Sequence, residues 1–162
     1  EMGLAWVAHN RVEGGVSTAA RVGASTGADA NADVNILVSL RAALPAEALA
    51  NLDRVIIFKP TSVDGGVPGG CMKDPGSTNQ SGVTASCNTY SGATVRSVTT
   101  SSNLGTADDS CAGLSRKDSL ADPPDYIGVY VRTTYDSKTG SFFNDMTITR
   151  TSIYRIQPDI DG

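Results

Sequence analysis

The stretch from Glu1 to about Thr26 constrains the fold of this chain more than any other part of the sequence. Its small and apolar residues recur at steps of three and four, which is the spacing of one face of an α-helix. The residues of this stripe are Leu4, Ala8, Val12, Val16, Ala19, Ala20 and Gly23. A helix of roughly 25 residues is about 38 Å long at 1.5 Å per residue. The rest of a small domain hardly covers that length, so we expect part of the helix to stand clear of it.

Glycines inside the predicted helix indicate that it packs closely against another element. Gly3, Gly14, Gly15 and Gly23 each destabilise a helix interior by up to about 1 kcal/mol relative to alanine. Close approach of the stripe to a sheet or a second helix would offset that loss. The predicted helix-packing face consists of Ala8, Val12, Gly15, Ala19 and Gly23.

The first turns of this helix admit two interpretations. From Met2 to Ala8 the sequence is apolar almost all the way round the helix. One interpretation is an ordinary amphipathic helix of the core. The other is the emerging half of a longer helix whose preceding part spanned a membrane, with Trp6 at the interface, where amphipathic rings concentrate. No run within the chain reaches the roughly 18 apolar residues that a span requires, so a span would have to precede Glu1.

Length and composition predict one domain that does not bind nucleic acid. The chain has 162 residues, of which 40% are hydrophobic, and this is enough for one core. We therefore predict a single domain over 1–162, with the helix at 1–26 and a globular head at 27–162. The net charge is -4, and no basic run interleaved with aromatic residues is present, which argues against a nucleic-acid partner.

Three cysteines, Cys71, Cys87 and Cys111, lie in the Gly-, Ser- and Thr-rich middle of the chain. None belongs to the Cys-x-x-Cys pair that is typical of a zinc site. Outside the cytoplasm, a disulfide would stabilise such a segment by constraining the unfolded chain. We predict one disulfide, either Cys71–Cys87 or Cys87–Cys111, and one thiol left over. The alternative is three unrelated thiols in a cytosolic protein.

The helical pattern breaks between Gly27 and Asn31 and then resumes. Asp33 is positioned to cap a short second helix whose apolar residues extend from Val34 to Leu44. Pro45 ends that helix and is expected to start a further turn through Leu49.

The remaining apolar patterns predict a small antiparallel sheet. Arg54–Lys59 is a short, continuous apolar run rich in β-branched residues, which indicates a strand covered on both faces. Tyr126–Tyr135 alternates as a half-buried strand, and Met146–Gln157 returns beside it after a turn at Asp136–Gly140. The fold class is therefore α+β, with the opening helix laid on the sheet.

Between these strands, the segment Ser62–Pro124 is dominated by turn residues and predicts a long loop. About 60 residues is far beyond the usual length of a connection, so the loop is functional, partly disordered or held by a crosslink. Val95 and Val98 suggest a minor strand within it.

The sequence offers no catalytic constellation. His9 is the only histidine, so a serine or cysteine nucleophile lacks a base and an orienting group beside it. Asp108–Asp109 and the pair Asp122 and Asp125 are acidic loop residues of the kind that usually solvate a turn. Asp159–Gly162 matches only the start of a calcium-binding loop. We predict no enzyme, no metal site and no cofactor.

Four parts of the chain, taken together, carry a similarity to a known family. They are the opening Glu1–Trp6, the small-residue helix segment Val16–Ala24, the Cys-Asn-x-Tyr motif Cys87–Tyr90, and the closing hairpin built from Pro123–Val131, Thr139–Gly140 and Thr147–Thr149. In this order and spacing they resemble the TadE-like pilus assembly proteins, which are minor-pilin-like components of the tight-adherence (Flp) pilus system. The resemblance covers most of the chain outside the Gly/Ser/Thr-rich segment.

The resemblance implies a single-pass membrane anchor continuous with the opening helix and a pilin-like head outside the cytoplasm. It implies a non-enzymatic role in building or priming a fibre. The implied partners are other pilin or pilus-assembly subunits, through the N-terminal helix, and the membrane, through a segment that precedes Glu1. The matching branch often has a fourth cysteine, and a Trp-Cys-Pro where this chain has Ser110-Cys111-Ala112, so the resemblance does not fix the disulfide.

A secreted or surface binding module, similar to an adhesin, is the alternative function. In that case the Ser62–Pro124 loop would recognise a surface or a glycan. Glycan sites usually combine exposed aromatic residues with polar groups, and this loop offers only Tyr90. This argues against a glycan site, and the resemblance makes the assembly protein the first hypothesis.

Overall fold

The computed structural model describes residues 2–72, 87–100, 104, 111, 115–119, 123–137 and 145–158. Its helices are α1 (Met2–Thr26), α2 (Ala32–Ala43), α3 (Ala46–Ala50) and the short α4 (Gly92–Ser97). Its strands are β1 (Leu52–Phe58), β2 (Cys87–Ser91), β3 (Tyr126–Tyr135) and β4 (Met146–Arg155). A single 3-10 turn at Gly69–Met72 precedes β2 in the described part of the chain.

The described strands form one four-stranded sheet in the order β2-β1-β3-β4, and all neighbours are antiparallel. β3 and β4 pair without interruption from Tyr126 opposite Arg155 to Tyr135 opposite Met146. α1 packs against β3 and β4 on one face of this sheet. The predicted α+β class, with the opening helix on an antiparallel sheet, is confirmed.

β1 lies inside the sheet and is covered on both faces, as its apolar run predicts. Val55 and Ile57 belong to the larger core, which β1 shares with α1, α2 and β3. Ile56 and Phe58 belong to a smaller cluster on the opposite face, together with Tyr130. Because successive side chains of a strand point to opposite faces, one short strand serves both cores.

α1 packs closely against its neighbours at two of its glycines, Gly15 and Gly23. A Cβ atom at Gly15 would lie 3.1 Å from a methyl of Leu44, and one at Gly23 would lie 2.8 Å from the Cδ1 of Ile36. The small-residue stripe therefore lets α2 pack tightly beside α1. The helix ends at Thr26 because Gly27 takes a φ of 54°, a left-handed conformation that glycine adopts without strain.

A second glycine contact fixes the opposite face of the sheet. Gly128 of β3 stands across from Phe58 of β1, and a Cβ at Gly128 would lie 2.4 Å from the Phe58 ring. The ring therefore covers the backbone of β3 at a position where no side chain fits.

Two local predictions are wrong. Asp33 does not cap α2: the N-cap is Asn31, which makes no side-chain cap hydrogen bond, and Asp33 is buried within the first turn. Val95 does not mark a strand, because it lies in α4, whose N-cap Ser91 accepts a hydrogen bond from the backbone of Thr94. Val98 follows as the C-cap of the same helix.

The segment predicted as one long loop contains regular structure. β2 and α4 both lie within Ser62–Pro124, and β2 pairs with β1 from Cys87 opposite Phe58 to Ser91 opposite Arg54. Part of the predicted hairpin turn, residues 138–140, lies outside the described residues. The further turn predicted after Pro45 is α3.

Candidate interaction site

The first two turns of α1 carry an exposed apolar patch. The exposed fractions are 75% for Met2, 56% for Leu4, 66% for Trp6 and 40% for Val7. We call these four residues the apolar tip. The expectation that part of α1 stands clear of the head is confirmed, because the buried residues of the helix begin at Val12.

The apolar tip projects from the end of the sheet at which β3 finishes and β4 begins. Ala8 and Val12, which follow the tip, line a cavity of about 170 Å³ together with Tyr135 of β3 and Ile148 of β4. α3 closes another side of this cavity with Ala48. The tip therefore extends from a partly apolar hollow at one end of the head.

The predicted helix-packing face contacts this chain itself. Val12, Gly15, Ala19 and Gly23 are buried, and Ala8 is half-buried at the boundary with the tip. Since α2 and the sheet cover these residues, a partner of the folded head would meet the tip of α1 rather than this face.

Polar contacts hold the middle of α1 against the outer strand β4. The hydroxyls of Ser17 and Tyr154 are 2.9 Å apart, and Arg21 Nε donates to the Tyr154 hydroxyl at 3.0 Å. The hydrogen bond from Ser17, followed by that from Arg21, lowers the pKa of Tyr154. The guanidinium of Arg21 also lies 5.5 Å from the centre of the Tyr154 ring, a cation–π distance.

His9 takes part in a structural contact with β4. Arg150 Nη2 lies 2.7 Å from His9 Nδ1, and Arg150 Nε lies 3.6 Å from a carboxylate oxygen of Glu13. The described residues place no cysteine or serine nucleophile on the ring of His9. The geometry is that of an anchor between α1 and β4.

The disulfide joins Cys71 to Cys87, with Cα atoms 6.1 Å apart. It ties the turn before β2 to the first residue of that strand. Cys111 keeps a free thiol, which is fully buried and donates to the carbonyl of Ile57 at 3.5 Å. Burial raises the pKa of Cys111 to about 12, so the thiol is not a reactive nucleophile at neutral pH.

A buried polar network, which the sequence did not reveal, lies on the helix face of the sheet at the other end of the head. Arg116 forms an ion pair with Asp33 of α2, and the same carboxylate accepts hydrogen bonds at 2.7 Å from Asn88 Nδ2 and from the Tyr90 hydroxyl. Arg116 also donates to the carbonyl of Cys111 at 3.0 Å. The network connects Cys111 and Arg116 to α2 and β2.

The pKa values of Tyr90 and Arg116 in this network are both raised. Burial and then the Asp33 carboxylate raise the pKa of Tyr90, which stays a neutral donor. Burial alone would lower the pKa of Arg116, but the Asp33 carboxylate and the other neighbours raise it. Arg116 Nε and Nη1 have no hydrogen-bond partner among the described residues. A charged guanidinium held in this way is a structural centre, because breaking a buried ion pair is strongly destabilising.

The loop residues considered for binding or acid–base chemistry have structural partners where the structure describes them. Tyr90, the aromatic residue on which glycan stacking would depend, is buried with its hydroxyl on Asp33. Asp125 accepts from the backbone of Lys117 at 2.8 Å and pairs with Lys59 at 2.7 Å. Asp108, Asp109, Asp122 and 159–162 lie outside the described residues.

Within the described ranges, no group of three or more histidine, cysteine, aspartate or glutamate side chains is placed to hold a metal ion. None of the described helices has the length and apolar character needed to cross a membrane. No protein-family model, curated protein or solved structure matches this chain. The fold and the site define an α+β protein with an apolar helical tip at one end and a crosslinked, ion-paired region at the other.

Proposed function

We propose that this chain is a non-enzymatic structural or assembly component of a tight-adherence pilus, of the minor-pilin or TadE-like kind. In this proposal the apolar tip of α1 meets other pilin or assembly subunits. A preceding segment anchors the protein in the membrane, and the head lies outside the cytoplasm.

The observation that carries the proposal is the contrast between the two ends of α1. From Val12 to Ala24 the helix is fixed to α2 and the sheet, whereas Met2, Leu4 and Trp6 contact mostly solvent. Exposed apolar area is unfavourable by about 25 cal/mol per Å². Contiguous patches of this kind usually mark a surface that a partner or a lipid phase covers. A helix fixed at one end and apolar at the other suits assembly by helix packing.

The test replaces two residues of the apolar tip without changing the core. Leu4→Ser together with Trp6→Ser, introduced into the full gene product, removes apolar area from side chains that face solvent. We expect pilus assembly and co-purification of other pilus subunits to be lost. We expect the stability of the head to change by no more than about 0.5 kcal/mol, because surface substitutions away from packed features have small effects.

The matched control is Asn10→Ser, an exposed polar position on the same helix. We expect this variant to assemble pili at the normal level. Normal piliation by the Leu4→Ser/Trp6→Ser variant, with the protein present at wild-type abundance, would contradict the proposal.

A further inference from the structure

β4 is an outer strand of the sheet and has only β3 as a described neighbour. It is ten residues long, whereas β2 at the other edge has five. β2 is also followed directly by α4. In addition, Thr89 of β2 donates from its Oγ1 to the carbonyl of Cys71 at 3.3 Å, so the turn before β2 lies against this strand. The long open edge of this sheet is therefore β4.

The register with β3 shows which backbone groups of β4 point outward. The Ile156 N–H donates to the Asp125 carbonyl at 2.9 Å, which continues the register in which Arg155 faces Tyr126. In an antiparallel ladder, alternate residues bond to the same neighbour, so the even-numbered residues of β4 bond to β3. The residues with outward N–H and C=O groups are Thr147, Thr149, Thr151, Ile153 and Arg155.

These outward groups are almost entirely unpaired in the described part of the chain. The exception is the carbonyl of Thr149, which accepts from the guanidinium of Arg150 at 3.0 Å in an exposed contact. Gln157, the next residue of the same orientation, already donates its N–H to the carbonyl of Ala24 at 2.8 Å. The open edge therefore has a defined length, from Thr147 to Arg155.

Most of the usual protections of an edge strand are missing from β4. Natural sheets block an open edge with proline, charged side chains (lysine above all), a bulge, a very short strand or a covering element. β4 contains neither proline nor lysine, and its pairing with β3 has no register shift. Its charged residues are Arg150 and Arg155, and Arg150 contacts His9 and Glu13 of α1. The threonines and isoleucines of β4 have high β propensity. An edge of this composition favours addition of another strand.

We infer that β4 pairs antiparallel with β4 of a second copy of this chain, about a twofold axis at Thr151. When Thr151 faces its own copy, Thr147 faces Arg155 and Thr149 faces Ile153, so all of the outward residues find partners. A shift toward Arg150 would place the two Arg150 side chains opposite each other, and like charges in that position are destabilising. With the axis at Thr151, Arg150 faces Ser152 instead.

A second copy is the partner that this edge fits best. Thr151 is the midpoint of the open stretch from Thr147 to Arg155, so pairing about this residue leaves no outward group of either strand without a counterpart. Pairing through a twofold axis uses the same edge on both copies and closes after two of them. The short β2 edge does not match the length of β4, so an endless chain of copies is not favoured. This inference does not rest on the proposed function.

The test measures self-association by sedimentation equilibrium. The background is Leu4→Ser/Trp6→Ser, which removes two of the four apolar side chains of the tip and so reduces association through it. We expect a dimer, and we expect Thr151→Pro to weaken its association by about tenfold or more, because proline removes a central donor. Proline is tolerated where the N–H faces away from the sheet, so the variant should keep its fold. The control Thr151→Val keeps every backbone group and should dimerise normally.

A spin-label measurement tests the register without relying on proline. A nitroxide on Thr151→Cys should lie close to its copy. One on Thr147→Cys should be separated from its copy by roughly 26 Å along the strands, at about 3.3 Å per residue. A monomer at millimolar concentration, a dimer that Thr151→Pro leaves intact while folded, or labels at 151 that are far apart would each overturn the inference.

Discussion

Gly14 and Gly23 lie on the same helix in opposite surroundings. A Cβ atom at Gly14 would have no neighbour within 4 Å, whereas one at Gly23 would lie 2.8 Å from Ile36 and 3.3 Å from Ile127. Ile36 and Ile127 are fully buried and have little room to move, because protein interiors are close-packed. Glycine is therefore required at one position and merely tolerated at the other.

This contrast predicts opposite effects of the same substitution. Gly14→Ala should raise the free energy of unfolding by up to about 1 kcal/mol, since alanine is the better helix former. Gly23→Ala should lower the free energy of unfolding by about 1–3 kcal/mol, because the added methyl overpacks the contact with Ile36. Urea denaturation of both variants measures the difference. Stabilisation by Gly23→Ala would show that α1 and α2 are not packed as closely as described.

The ion pair between Arg116 and Asp33 shows why the role of a single residue is hard to predict from the sequence. Arg116 is 83 residues from Asp33, and no local pattern links a loop arginine to a helix aspartate at that distance. The sequence predicts Asp33 as a cap because an aspartate before an apolar run usually is one. In the structure, Asp33 is buried by residues distant in sequence and is the centre of an ion-paired network instead of a cap at the surface.

At the scale of elements, the disulfide connects the turn Gly69–Met72 to the edge strand β2. Strand β2 is short and contributes only Cys87, Asn88 and Tyr90 as buried residues. A five-residue edge strand contributes few ladder bonds of its own. Because β2 is too short to be held by many backbone hydrogen bonds, the disulfide and the polar network help to hold it on β1.

Loss of the disulfide should consequently destabilise the head. Cys71 and Cys87 are 16 residues apart, and closing a loop of about that length is worth roughly 3 kcal/mol through the unfolded chain. We expect reductant, or Cys71→Ala with Cys87→Ala, to lower the urea midpoint accordingly. The control Cys111→Ala should retain the response to reductant, because its thiol is free. A wild-type urea midpoint unaffected by reductant would contradict the assigned pairing.

The elements that the sequence predicted well are those with long, regular patterns. α1 and β3 were predicted from periodicity over many residues, and their bounds, Met2–Thr26 and Tyr126–Tyr135, match the structure. β2 and α4 were missed because Cys87–Ser97 is too short and too polar for a period to emerge. Their structure depends on pairing with β1 and on the backbone of Gly92, which leaves no room for a Cβ beside the carbonyl of Leu52.

At the scale of the whole molecule, the apolar tip and the crosslinked region lie at opposite ends of the sheet. The tip precedes Ala8, which shares a cavity with Tyr135 at the end of β3. The disulfide lies beside Phe58, which pairs with Gly128 near the start of β3. A molecule held by its tip would thus present the disulfide end outward. The proposed function therefore predicts that the disulfide end is accessible from outside the membrane and that the apolar tip is covered.

Site-directed labelling tests that consequence. Ser62→Cys places a thiol at an exposed position after β1, and Leu4→Cys places one in the tip. We expect a membrane-impermeant maleimide added to spheroplasts of the native host to label Ser62→Cys and to spare Leu4→Cys. Background labelling should be low, because Cys71 and Cys87 are bonded to each other and the Cys111 thiol is buried.

Detergent and denaturant provide the control for this experiment, since both variants should then react equally and show that the Leu4→Cys thiol is intact. Protection of Leu4→Cys in spheroplasts would mean that a partner subunit or the lipid interface covers the tip, as an assembly role requires. Equal labelling of both positions in spheroplasts would mean that the tip is open to water in the cell. In that case the exposed turns of α1 would have no partner, and the assembly proposal would lose its main support.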